Sequence, residues 1–224
     1  NLHQGDKWMG LRKLQDKQAT RVIRDGYILV KPNLPREFHL EIYQRAMSIL
    51  ESEGNPGNNI LARIPMLARL FDDPIVDGSM TSILGPKYYM HPHRHCHDRS
   101  PNSQGQELHK DGFSRRRHRT RWVLAMYYPQ DTSIEMGPTA ISPGSQYYNT
   151  EAGGNLSKEI PLPVEAGTLA IVNYDIWHRG MANQSNETRL MFKFLFLRMT
   201  EPVDPSWQNN SREWTSDNDK SSLL

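Results

Sequence analysis

"GTLAIVNYDIWHRGMANQSNETRLMFKF", residues 167–194, holds two β-rich runs divided by a polar turn. The first run ends at His178 and the second begins at Arg189, 11 residues later. Runs rich in β-branched and aromatic residues between clusters of turn formers read as strands. A hairpin of that size brings an imidazole and a guanidinium into one mouth. Working outward, the same texture begins at Lys87 and takes in "KYYMHPHRHCH", "RWVLAMYY", "PTAIS" and "RLMFKFLFLRM". Many short strands at this spacing, punctuated by Gly, Pro, Asn and Ser, point to a barrel or a sandwich.

Before Lys87 the pattern is helical. "LQDKQATRVIRDG" carries Leu14, Ala19, Val22 and Ile23 toward Gly26, a C-cap. The short run "YILVK" reads as a strand. A helix then opens after Pro35 with Phe38, Ile42, Ala46 and Ile49/Leu50 at helical spacing. "ILARIPMLARLF" and "PIVDGSMTSIL" read as two further short helices divided by "DDP". The expected organisation is one domain over 1–199, with a helical part at 1–85 and a polar tail at 200–224 that holds Trp207 and Trp214.

"ELHKDGF" (107–113) supplies His109 and Asp111. In an extended segment residues i and i+2 point the same way, so imidazole and carboxylate converge. His178 completes a set of two histidines and one carboxylate. That set on one face of an octahedron is the facial triad of non-heme Fe(II) oxygenases, with three positions left open. An α-keto acid fills two of them as a chelate and O2 takes the last. The far carboxylate of a chelated 2-oxoglutarate suits Arg189, because a planar guanidinium grips a carboxylate with two parallel hydrogen bonds.

The composition sets outer bounds. The chain has 224 residues, long enough for one domain with a substantial core. A net charge of +2 gives no overall footprint for nucleic acid, and no apolar run reaches the ~18 residues of a membrane span. One cysteine, Cys96, cannot form an internal disulfide, which favours a reducing compartment and a cytoplasmic location. The chain starts at Asn1 without a signal-type stretch, so a trimmed N-terminus or a removed presequence stays open. Oligomeric state is not legible. Sequons at Asn155, Asn183, Asn186 and Asn209 are read as chance matches.

From about Arg21 to Met199 the chain resembles the phytanoyl-CoA dioxygenase family of Fe(II)/2-oxoglutarate oxygenases. The matching pieces are "RDGYILV", "ILGPKYYM", "HKD", "EMGPTAISPGSQ", "GTLAIVNYDIWH" and "NETRLMFKF". Met136 and Gln146 depart from the family's usual "NGP…PGSH". The resemblance implies a double-stranded β-helix core, mostly β with N-terminal helices. It implies metal ligation and catalysis by His109, Asp111 and His178, and 2-oxoglutarate anchored by Arg189. It places Arg63 and Arg94 near cosubstrate-contacting positions. Related halogenases replace the carboxylate by a small residue so that chloride can bind, and Asp111 argues against that activity. The expected reaction hydroxylates a C–H bond of a small, anionic organic substrate with release of succinate and CO2. The alternative is a metal-binding barrel without oxygenase turnover.

Two further stretches compete for attention. "MHPHRHCHD" (90–98) places His91, His93, His95 and His97 on one face of a strand and Met90, Pro92, Arg94 and Cys96 on the other. Four imidazoles spread over about 20 Å cannot share one ion. The preferred reading is a half-buried polar face, ahead of a substrate funnel and then a second metal site. "SRRRHRTR" (114–121) follows the H-x-D segment directly. It reads either as a solvated loop or as a lid that meets an acidic substrate.

Overall fold

A computed structural model of the protein describes residues 12–112, 120–147 and 158–200. The expectations for the basic run (apart from Thr120 and Arg121) and for the two tail tryptophans lie outside those residues. Helix α1 (Asp16–Asp25) ends at Gly26, whose φ of 81° lets its N–H cap Val22 O. Strand β1 (Tyr27–Val30) and helix α2 (Arg36–Glu53) follow, and α2 buries Phe38, Ile42 and Ala46 at four-residue spacing. "ILARIPMLARLF" is not one helix. It divides into α3 (Ile60–Arg63) and α4 (Arg69–Asp72) around a 3-10 turn that starts at Pro65, a residue with no amide hydrogen to continue the ladder. Helix α5 (Pro74–Leu84) is capped by the Asp73 carboxylate, which accepts from the amides of Ile75 and Val76. Among the described residues no helix is long and apolar enough to cross a membrane.

The strands then run β2 (Tyr89–Arg99), β3 (Trp122–Tyr127), β4 (Thr139–Ile141), β5 (Ile160–Pro161), β6 (Leu169–Asn173), β7 (His178–Gly180) and β8 (Arg189–Leu197). They form an antiparallel five-stranded sheet in the order β1-β6-β3-β8-β2 and a smaller sheet in the order β5-β4-β7. Together they make the double-stranded β-helix core.

Strand alternation explains the two layers of core. From β8, Leu190, Phe192, Phe194 and Phe196 pack with the helices, where Phe71 meets Phe194 and Phe196 at ring distances of 5.0 and 4.9 Å. Met191 and Leu195 face the other way and join Leu124, Met126, Tyr128 and Ile141 between the sheets. Each buried aromatic contributes about 1.5–3 kcal/mol by removal from water, so the Phe column fixes the register of β8. That register decides which side Arg189 and Lys193 occupy. Both share the phase of Met191, so both point into the barrel.

Candidate metal and cosubstrate site

The H-x-D segment is tied to β7 by one isolated antiparallel bridge. His109 N–H donates to His178 O and His178 N–H donates to His109 O, each at 2.9 Å. On its other side β7 pairs with β4, with His178 opposite Ile141. The imidazoles of His109 and His178 sit 4.6 Å apart, centroid to centroid. Asp111 Oδ1 lies 3.8 Å from His109 Nε2, and its Oδ2 lies 3.7 Å from His178 Nε2. One ligand atom from each of the three residues falls within 4.8 Å of the others, and no other such group occurs among the described residues.

The histidine rings are oriented from behind. His109 Nδ1 meets Glu107 O at 2.8 Å and His178 Nδ1 meets Ile176 O at 3.1 Å. A carbonyl can only accept, so each Nδ1 carries the proton and each Nε2 presents a lone pair to the centre. Burial pushes His178 down to about 4, which keeps it neutral and ready to ligate at physiological pH. Burial opposes ionisation of Asp111, but the neighbouring Lys193 ammonium and the two histidines outweigh it and hold the carboxyl below its usual range.

Lys193 Nζ donates to Asp111 Oδ2 at 2.8 Å. Ligands on adjacent positions of one ion stand about 3 Å apart for bonds near 2.1 Å. The spacings of 3.7 and 3.8 Å here lie within an ångström of that value.

Arg189 is 1% exposed, and its Nε and Nη1 are buried without a hydrogen-bond partner. Burial draws its pKa below the ordinary guanidinium value, and nearby Arg99 adds to the effect. A buried cation with open donors is costly unless an anion completes it. The chain holds it firmly in place. Gln130 brackets it, donating to Thr188 O at 3.0 Å and accepting from Leu190 N at 2.9 Å. Asn183 closes the preceding loop by donating to Arg99 O and Glu187 O at 3.0 and 2.8 Å. The buried Asn183 side chain is thus a structural clamp, in keeping with a chance sequon.

A cavity of about 190 Å³ joins these groups; His97, Arg99, His109, His178, Arg189 and Lys193 are among the residues that line it. Arg63 and Arg94 do not line it. The Arg63 guanidinium is paired with Glu53 at the end of α2. Arg94 stands opposite Phe194, on the helix-side face, and its Nε donates to Pro92 O at 3.3 Å. The gaps across which the resemblance assigned these two arginines lead to other places in the fold.

The histidine run crosses one irregularity in the ladder. It lies between Met90 and Arg94; His91 packs on Trp122 at 5.9 Å and accepts from the His93 amide at 3.0 Å, and His93, His95 and His97 follow one another at 4.3 and 5.7 Å. His97 reaches the cavity, and its Nε2 is buried without a partner. Burial and the nearby Lys193 push it down to about 3. Sequence reasoning passed over Lys193. Its signal was present in "RLMFKFLFL", where the lysine falls in phase with Arg189 inside an otherwise apolar run.

Comparison with known proteins agrees with the fold. The epimerase SnoN from nogalamycin biosynthesis, described as non-heme and alpha-ketoglutarate dependent, superposes with a TM-score of 0.70 at 18% identity and covers 83% of each chain. The carbocyclase SnoK of the same biosynthesis gives 0.67 at 14% identity over 82% of this chain and 84% of its own. EctD from S. alaskensis gives 0.68 at 16% identity over 82% of this chain and 77% of its own. No curated protein sequence matches. The profile of the family described as Phytanoyl-CoA dioxygenase (PhyH) covers residues 23–191, well over half of the chain, and the chain belongs to that family.

Proposed function

We propose that the protein is an Fe(II)- and 2-oxoglutarate-dependent dioxygenase that hydroxylates a C–H bond of a small organic substrate. The observation that carries this reading is the pairing of a convergent His109–Asp111–His178 set with a buried, uncompleted guanidinium at Arg189 in the same barrel. The two imidazoles and the carboxylate suit a first-row divalent ion. The open donors of Arg189 suit the distal carboxylate of the cosubstrate.

Fe(II) held by His109, Asp111 and His178, with 2-oxoglutarate held by Arg189, would supply activation of O2, one oxygen atom going to succinate as CO2 leaves and the other to the product. The chain's own residues do the rest. The backbone carbonyls engage Nδ1 of His109 and of His178 and so turn each Nε2 toward the centre. Asp111 supplies the anionic ligand. Arg189 orients the cosubstrate, and the apolar residues between the sheets exclude water from its shaft. Two of the similar structures are named as an epimerase and a carbocyclase, so hydroxylation is the part of the reading that product analysis decides.

The test is anaerobic loading with Fe(II) and 2-oxoglutarate, followed by O2 and measurement of succinate. Succinate formed by the wild type and lost in Asp111→Ala supports the reading. Metal binding without any succinate, even with a broad pool of candidate acids, leaves a non-oxygenase barrel instead.

A further inference from the structure

The metal and the cosubstrate account for Asp111 and Arg189 but not for Lys193 and His97, which also line the cavity. The ion-pair partner of Lys193 among the described residues is Asp111, and its side chain is only 12% exposed. An ion bound at the triad would share that carboxylate, and an ammonium with three donors has donors to spare for another anion. On the next rung of the barrel wall, His97 presents a buried Nε2 with no partner. His95 stands opposite Lys193 in the register, and His97 stands opposite Met191. Lys193 and His97 therefore form one polar corner beside the metal position. Arg189 lies four residues away on β8, about 13 Å along the strand.

Charge balance points the same way. The cavity wall carries Asp98, Arg99, Arg189 and Lys193, with Asp111 at its edge. A divalent ion and a dianionic cosubstrate still leave one positive charge over. In a half-buried site that surplus favours a bound anion.

We infer that Lys193, with His97 beside it, is the specificity-determining subsite for a carboxylate on the primary substrate, using donors that its pair with Asp111 leaves open. The inference rests on the proposed metal and cosubstrate reading and adds the substrate class. A carboxylate held there lies next to the metal, so the oxidised C–H bond is one close to the acid group. The ammonium and the histidine bind and orient; no proton needs to move.

The test uses Mn(II) in place of Fe(II), so that nothing turns over, with saturating 2-oxoglutarate. Butyrate is the probe and 1-butanol its neutral counterpart, each followed by paramagnetic broadening of its methyl protons. Dissociation constants for Mn(II) and 2-oxoglutarate are measured in parallel by titration. The wild type should broaden butyrate and not butanol. Lys193→Met should weaken butyrate binding about tenfold, as expected for loss of a charge-assisted hydrogen bond, with 2-oxoglutarate affinity changed by less than about twofold. Lys193→Arg should retain butyrate binding, which separates lost charge from a damaged fold. Unchanged broadening in Lys193→Met overturns the inference. So does a large loss of 2-oxoglutarate affinity without a separate effect on butyrate, which assigns Lys193 to the cosubstrate's metal-side carboxylate. Failure of the wild type to bind Mn(II) or 2-oxoglutarate overturns the functional reading as well, whereas a failure confined to butyrate leaves that reading standing.

Discussion

His109 and His178 hold each other by paired backbone hydrogen bonds of 2.9 Å in both directions. This bridge sets the distance between their rings, so the proposed metal centre is built by the barrel's own wall. Because Asp111 follows two residues after the bridge, its carboxylate has little freedom except to swing between Lys193 and the histidines.

Removing Asp111 should therefore have two consequences. Asp111→Ala should weaken Mn(II) or Fe(II) binding by at least about a hundredfold, as loss of one of three ligands requires. It should also lower the stability of the metal-free protein by about 1–3 kcal/mol, because Lys193 is left without its anion. Metal titration and urea unfolding read the two effects separately.

Arg189 should show the opposite trade. Arg189→Lys should raise the KM for 2-oxoglutarate about tenfold or more while leaving the metal dissociation constant unchanged. Arg189→Met should abolish cosubstrate binding and yet raise the melting temperature of the ligand-free protein, since it removes a buried cation with two open donors. Arg63→Ala and Arg94→Ala should leave the KM for 2-oxoglutarate within about twofold, because neither side chain reaches the cavity. A large rise in KM for either one would show that it, and not Arg189 alone, anchors the cosubstrate.

Gly112 sits beside Asp111 for steric reasons. A Cβ built there would fall 2.3 Å from Tyr174 Cε1, and that ring is packed against Trp122 at 6.0 Å. Gly112→Ala should push the H-x-D turn away from β7 and weaken metal binding by about tenfold or more, with a modest loss of stability. A double variant that also shortens the ring, Gly112→Ala with Tyr174→Ala, should recover part of the metal affinity.

Acid should destabilise the metal-free protein in a defined window. Burial depresses His178 to about 4 and His97 to about 3, so between about 6.5 and those values the unfolded chain binds protons that the folded chain refuses. The stability contributed by their neutral forms is complete above about 6.5 and is lost as pH falls toward 3. The total loss should be on the order of a few kcal/mol by linkage. Urea midpoints across that range should fall with decreasing pH, and His97→Phe should make the fall shallower. A flat profile from pH 7 to 4 would mean that neither imidazole is buried neutral in solution.

The sequence determined what depends on local period. The alternation of "RLMFKFLFL" placed Phe192, Phe194 and Phe196 on one face and put Arg189 and Lys193 on the other, because adjacent side chains on a strand point oppositely. The two-residue step from His109 to Asp111 and the β-rich run ending at His178 made the convergent His-Asp-His group legible, and Pro35 and Gly26 marked helix boundaries correctly. Tertiary structure decided what depends on pairing between distant strands. The register of β2 against β8, carried across the irregularity between Met90 and Arg94, sent Arg94 to the helix side and His97 to the cavity. Only the closing of the barrel brought Lys193 to Asp111 and left Arg189 with open donors. A one-residue slip in that register would exchange every interior side chain for an exterior one. The register itself is set by the packing of the Phe column against helices far away in the chain, which no local pattern encodes.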